Sequence, residues 1–102
     1  MPSSDESLDL VLHAIADPTR RRILRTLKEQ VNNARAEGAA SASLCAGDIE
    51  GRVQLSQSTI SHHMAILTKA GLVEATKQGQ WRWYRRNEKA IRQVVKSLRG
   101  KL

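Results

Sequence analysis

Gln54-Leu55-Ser56-Gln57-Ser58-Thr59-Ile60-Ser61-His62-His63-Met64-Ala65-Ile66-Leu67-Thr68-Lys69-Ala70-Gly71-Leu72 reads as one capped amphipathic helix whose outer face carries short polar side chains. Ser56 is a suitable N-cap, since its hydroxyl can accept from an orphan amide of the first turn. Gly71 suits the left-handed position just past the helix end, with Leu72 folding back as the next apolar contact. Ile60, Met64 and Leu67 recur at helical spacing and form the core stripe. At about 100° per residue, Ser58, Ser61, His62 and Lys69 fall on the opposite side. That face holds no carboxylate. A solvated helix face rarely needs to be this short and free of carboxylates, whereas on a face that enters the major groove of DNA an acidic side chain would meet phosphate repulsion.

Upstream, a shorter helix over Cys45–Arg52 takes its apolar contacts from Leu44, Ile49 and Val53. The tight turn at Gln54-Leu55 joins the two into a helix-turn-helix. After Gly71 the period changes from helical to alternating. Val73, Ala75 and Lys77 alternate with Glu74, Thr76 and Gln78; past Gly79, Trp81, Trp83 and Arg85 alternate with Arg82, Tyr84 and Arg86. This predicts a two-stranded hairpin turning at Gln78-Gly79-Gln80. Trp81 and Trp83 are expected to pack the hairpin onto the body, with Arg82 and Tyr84 on its other face. Asn87 then caps a last helix on which Ala90, Ile91, Val94, Val95 and Leu98 form a stripe of near-heptad spacing.

Towards the N-terminus, Ser3 and Glu6 offer a capping box for a first helix that carries Leu8, Val11, Leu12 and Ile15 and stops at Asp17-Pro18. Asp17 can cap the second helix, and Pro18 suits its first turn, where no amide is needed. That helix turns Ile23, Leu24 and Leu27 inward and Arg20, Arg21, Arg22 and Arg25 mostly outward. Between residues 29 and 43 the pattern dissolves. Its Ala, Glu and Arg residues can carry the second helix some way in, and its Gly/Ala/Ser end reads as a flexible extension. The expected architecture is mostly α with a small β-hairpin wing: one winged helix-turn-helix domain over residues 1–102, in the order ααααββα.

Charge is distributed unevenly. The chain has 17 Lys+Arg against 10 Asp+Glu, a formal net charge of +7. Residues 69–102 hold ten Lys/Arg and two Glu, while residues 1–68 hold seven Lys/Arg and eight Asp/Glu. The surplus thus begins at the end of the candidate recognition helix, where a polyanion would be gripped. There is no Phe, and Trp81, Trp83 and Tyr84 are the only aromatic residues. So thin a core is commonly completed by burying an apolar helix face against a second copy. Cys45, the single cysteine, excludes an internal disulfide framework and fits a reducing cytoplasm. No segment has the length of a membrane span, and the N-terminus lacks the apolar core of a signal peptide, so a cytoplasmic protein without a membrane partner is expected. The chain shows no Gly-rich phosphate loop, no paired carboxylates in an apolar setting and no nucleophile–base spacing. Neither an enzyme nor a cofactor is expected.

Three segments resemble the ArsR family of arsenic- and metal-responsive repressors. They are Ile15-Ala16-Asp17-Pro18-Thr19-Arg20-Arg21-Arg22-Ile23-Leu24; Leu55-Ser56-Gln57-Ser58-Thr59-Ile60-Ser61-His62-His63-Met64 with Leu67 and Ala70-Gly71-Leu72-Val73; and the wing from Gly79 to Tyr84. The resemblance implies a homodimeric winged-helix repressor on a pseudo-palindromic double-stranded DNA operator. Its recognition helix would enter the major groove, its wings would lie by the backbone, and its first and last helices would form the dimer interface. On this sequence the interface becomes Leu8, Val11, Leu12 and Ile15 with Ile91, Val94, Val95 and Leu98. The family's metal sites do not carry over. Where many members have a Cys-x-Cys pair at the start of the third helix, this chain has Cys45 and Gly47, and the last helix contains no histidine to build the zinc site of others. No metal site is expected.

Gln57, Ser58, Ser61 and His62 are the candidates for reading base edges or nearby phosphates, and Lys69, Lys77 and Arg82 for gripping phosphate. His63, beside the apolar stripe, is expected to pack. Arg20, Arg21 and Arg22 form either a solvated face or, by the resemblance, a further approach to DNA. Two other readings stand beside a DNA-binding repressor: a winged-helix module for protein or RNA, and a repressor switched by oxidation of Cys45.

Overall fold

The computed structural model describes residues 4–37 and 43–102. Local signals set most element boundaries. Helix α1 (Ser4–Ile15) is followed by α2 (Pro18–Glu37), which begins with proline at its first position. The Asp17 carboxylate accepts from the Arg20 amide at 2.9 Å and so caps α2. Ser3, the expected cap of α1, lies outside the described residues. Within 29–43, α2 continues as far as Glu37, as the Ala, Glu and Arg residues there allow. The helix formers Ala34, Arg35, Ala36 and Glu37 outweigh the absence of an apolar period there; residues 38–42 lie outside the described set.

A two-residue strand, β1 (Leu44–Cys45), leads into α3 (Ala46–Val53), and α4 (Gln57–Lys69) follows. Between these helices Gln54 takes up φ 57°, the one positive value among the described non-glycine residues, and its amide donates to the Glu50 carbonyl at 2.8 Å. The Ser56 hydroxyl accepts from the Thr59 amide at 3.4 Å, as its position at the N-cap of α4 requires. At the other end of α4, Gly71 has φ 80°. Its amide donates to the Thr68 carbonyl and the Leu72 amide to that of Leu67, a paired arrangement that satisfies the last free carbonyls and turns Leu72 into the core.

The wing consists of β2 (Val73–Gln78) and β3 (Trp81–Arg86), joined through Gly79 at φ 62°. Asn87 then caps α5 (Glu88–Lys101) by accepting from the Ala90 amide at 3.1 Å. The expected two-stranded hairpin is in fact part of a three-stranded antiparallel sheet in the order β1-β3-β2, with Leu44 opposite Tyr84 and Tyr84 opposite Ala75. Two residues are too few to show a period, so β1 is visible only through its pairing.

The facing of the hairpin is the reverse of the expectation. Tyr84 is buried in the core beside Leu44, Trp83 is half-buried and Trp81 is exposed. Strict alternation identifies two faces without saying which one meets the body, and a shift of one residue exchanges them. Here the row Leu44–Tyr84 and the buried Val73, two residues from Ala75, lie inward.

The core unites Ile23 and Leu27 of α2, Ile49 and Val53 of α3, and Ile60, Met64 and Leu67 of α4. Each such burial is worth about 1.5–3 kcal/mol. α5 contributes no buried residue: Ile91 and Val94 rest against the core, while Val95 stays 60% exposed and, on α1, Leu12 stays 41% exposed.

Candidate nucleic-acid interface

Besides its buried stripe, α4 is tied to the end of α1 through an arginine. Arg20, expected on the outside, is only 7% exposed and bonds in three directions. Its Nε donates to the Ala14 carbonyl at 2.6 Å, Nη2 to the His13 carbonyl at 3.0 Å and Nη1 to His63 Nδ1 at 3.3 Å. Arg21 adds a bond to the Ile15 carbonyl at 2.7 Å. Together the two guanidinium groups satisfy successive carbonyls at the end of α1, where the helix dipole also favours a cation. Because arginine can only donate, His63 must present an unprotonated Nδ1 to it. Burial lowers the His63 pKa, with the Arg20 charge acting in the same direction and Asp17 opposing it. The amide of Arg20 in turn holds the Asp17 carboxyl below its usual range. α4 is thus braced against the end of α1 through a neutral histidine on its inner side, as expected for His63. Arg22 and Arg25 remain exposed on α2.

The outer side of α4 is open. Gln57, Ser58, Ser61, His62 and Lys69 are all exposed, and no acidic residue occupies the first turn. Because Tyr84 faces inward, its neighbours of equal parity, Arg82 on β3 and Lys77 on β2, project on the side of α4. A cleft of about 520 Å³ results, lined by Gln57 and Ser61 of α4, by Lys77, Trp81 and Arg82 of the wing, and by Glu50 of α3 among others. A second crease of about 300 Å³ runs along α4 past Ser61, Ala65, Thr68 and Lys69 to Arg82. Four of the seven candidates therefore share the first cleft, Lys69 joins Ser61 and Arg82 in the second, and Ser58 and His62 stand on the helix outside both. The Ser58 hydroxyl is 3.3 Å from that of Ser56.

Lys77 and Arg82 sit directly opposite each other across the two strands. Like charges in that position repel, at a cost of about 0.2–1 kcal/mol. A phosphate placed between them would relieve the repulsion. Replacing either residue by Ala is expected to weaken binding to all duplexes alike and to flatten the slope of log affinity against log salt by about 0.9. Measuring binding at four or five salt concentrations checks this; an unchanged slope would remove that residue from the phosphate contacts.

Ala65, Thr68, Glu50 and Trp81 also line these clefts, although the sequence reading assigns none of them to DNA. Ala65 and Thr68 are legible on the helical projection, since they fall on the arc between Gln57 and Lys69. The other two come from elements whose placement beside α4 is tertiary.

Of the residues expected at the dimer interface, Val11 is 4% exposed and already belongs to the protomer's own core. The helical stripe that contains it is wide enough to serve two contacts. Leu12 and Val95 are exposed, and Leu8, Ile15, Ile91, Val94 and Leu98 are half-buried. Cys45 is half-buried at the N-cap of α3, where its Sγ donates to Asp48 Oδ2 at 3.1 Å. Among the described residues no three His, Cys, Asp or Glu side chains are grouped as a metal would need, and no helix is long and apolar enough to cross a membrane.

Comparison with known proteins gives four concordant findings. Residues 15–76 match the family model described as a helix-turn-helix domain. The chain is 33% identical over 85 residues to the transcriptional repressor SdpR of Bacillus subtilis, covering 83% of this chain and 81% of that protein. It is 30% identical over 95 residues to the arsenical resistance operon repressor of Staphylococcus aureus, covering 93% and 80% respectively. Among solved structures, an ArsR-like transcriptional regulator from Rhodococcus sp. RHA1 superposes with a TM-score of 0.72 at 26% identity, covering 92% of this chain and 75% of that one.

Proposed function

The chain belongs to the ArsR family of winged helix-turn-helix repressors and is a DNA-binding transcriptional repressor, and on that premise we propose that it works in the cytoplasm as a homodimer reading a pseudo-palindromic operator. In this reading α4 enters the major groove. Gln57, Ser58, Ser61 and His62 meet base edges or adjacent phosphates, while Lys69, Lys77 and Arg82 hold the backbone. The observation that carries it is the shared cleft: uncharged hydrogen-bonding groups on α4 face two cations on the wing across a space open to solvent. Short polar side chains there can approach base edges closely, and the flanking cations neutralise the phosphates that such an approach brings near.

The dimer rests on α5. A helix with an apolar stripe that buries no residue in its own protomer, set beside a half-exposed Leu12, supports a second copy as the covering surface. Two-fold symmetry then implies two half-sites about one helical turn apart. The family is one of transcriptional regulators and not of enzymes. Regulation through a metal at the start of α3 is no part of this proposal, because Gly47 stands where the second thiolate would be.

Operator selection from random duplex DNA tests the reading directly. The selected sequences are expected to be inverted repeats. Ala at Ser61 or Gln57 should then lower the ratio of operator to non-specific affinity, by about 1–3 kcal/mol wherever the side chain makes a well-formed hydrogen bond to a base. Full discrimination by the Gln57, Ser58, Ser61 and His62 variants would show that α4 is not the reading helix. Selection of sequences without two-fold symmetry would remove the dimeric operator.

A further inference from the structure

In a chain with only three aromatic residues, one of them is kept out of the core. Trp81 is 57% exposed at the first position of β3, immediately after the Gly79-Gln80 turn and opposite Gln78. The core does not need it there: Tyr84 supplies the sheet's buried aromatic, and Trp83 is half-buried opposite Cys45. Nor does the dimer surface proposed on α1 and α5 include it. Trp81 stands at the rim of the cleft that also holds Gln57, Ser61, Lys77 and Arg82, at the wing tip, where strand alternation sends its side chain off the face opposite to that of Arg82. An exposed indole on a hairpin tip remains in contact with water and gains nothing until an apolar surface covers it.

Resting on the DNA-facing assignment of this cleft, we propose that Trp81 is a DNA contact of the wing, packing its indole against deoxyribose and base edges beside the half-site read by α4. Duplex DNA offers apolar surface of that kind on its sugars and in the minor groove, where proteins seat apolar side chains beside cationic ones. The neighbouring cations Lys77 and Arg82 would anchor phosphates on either side. The indole adds a contact that is apolar and sensitive to groove width, so it favours some flanking sequences over others. Its contribution differs physically from that of its neighbours, because covering an uncharged ring releases no counterion.

That difference defines the test. With a selected operator, Trp81→Ala should weaken binding about tenfold, on the scale of an aromatic contact to a nucleotide, and leave the salt slope as in the wild type. Lys77→Ala and Arg82→Ala should flatten the slope. Trp81→Phe should retain most of the affinity. In a Trp83→Phe background the remaining Trp81 emission should shift or quench on addition of operator, a readout that does not depend on how well the alanine variant folds. Wild-type affinity in Trp81→Ala, or Trp81 emission indifferent to operator, would overturn the proposal, as would a slope flattened as much as in Lys77→Ala. Unaltered binding by the Ser61, Lys77 and Arg82 variants as well would refute the DNA-facing assignment itself, whereas a defect confined to those three would remove Trp81 alone.

Discussion

Val95→Asp is expected to yield a folded protomer that no longer dimerises. Val95 is 60% exposed in the single chain, so an aspartate there remains in water and leaves the protomer's core untouched. In the proposed dimer the same position is covered by the second copy, and symmetry brings in two such charges. Each buried unpaired charge costs about 3–5 kcal/mol, so the dimer dissociation constant should rise by a factor on the order of 10³ or more. Operator affinity should fall with it, because a monomer holds one half-site. Sedimentation at micromolar concentration reads the outcome, and far-ultraviolet circular dichroism verifies that the helices persist. A variant that sediments like the wild type, or a wild type that is itself monomeric at that concentration, would refute the interface. Val95 is a better probe than Val94, which is half-buried against the protomer's own core and would confuse dissociation with unfolding.

The second large effect is expected at Arg20. Arg20→Met retains an unbranched apolar stem but removes every donor from the Ala14 and His13 carbonyls and from His63 Nδ1. Each buried acceptor left without a partner costs about 1–3 kcal/mol, so a loss of roughly 3 kcal/mol overall is expected, a large share of the roughly 5–15 kcal/mol typical of a domain. The thermal midpoint should fall by roughly 10–20 °C, compared at one protein concentration because the proposed dimerisation would raise it by mass action. Arg20→Lys should rescue little, since one ammonium cannot reach three diverging acceptors in the geometry of the guanidinium fork. A midpoint within two or three degrees (roughly half a kcal/mol) of the wild type would mean that the arginine serves solubility and not the brace.

The bracing of α4 explains why the second helix, read alone, misplaces Arg20. Three consecutive arginines at the start of a helix resemble a solvated or DNA-facing surface, and helical projection places them mostly outward. Their true environment depends on the end of α1, which turns three carbonyls towards them, and on His63, 43 residues away. Five of the seven candidate DNA contacts are available from the residues of α4 themselves, because exposure on a capped helix follows from its apolar stripe. The other two, contributed by the wing, require knowing which side of the hairpin meets the body.

What the amino-acid order determined by itself is the set of local structures: the helix-turn-helix, the caps at Ser56 and Asn87, the glycine turns at Gly71 and Gly79, and the alternation of the wing. Each depends on interactions spanning a few residues, whose energies do not wait for the rest of the fold. The tertiary structure alone decided the inward face of the wing, the third strand at Leu44–Cys45, the burial of Arg20 and the exposure of Trp81. A β-strand of alternating character is equally consistent with either face inward, and a two-residue strand has no period to read. Only the distant partners, Tyr84 against Leu44 and Arg20 against His63, make one arrangement bury more apolar surface and satisfy more polar groups than the other.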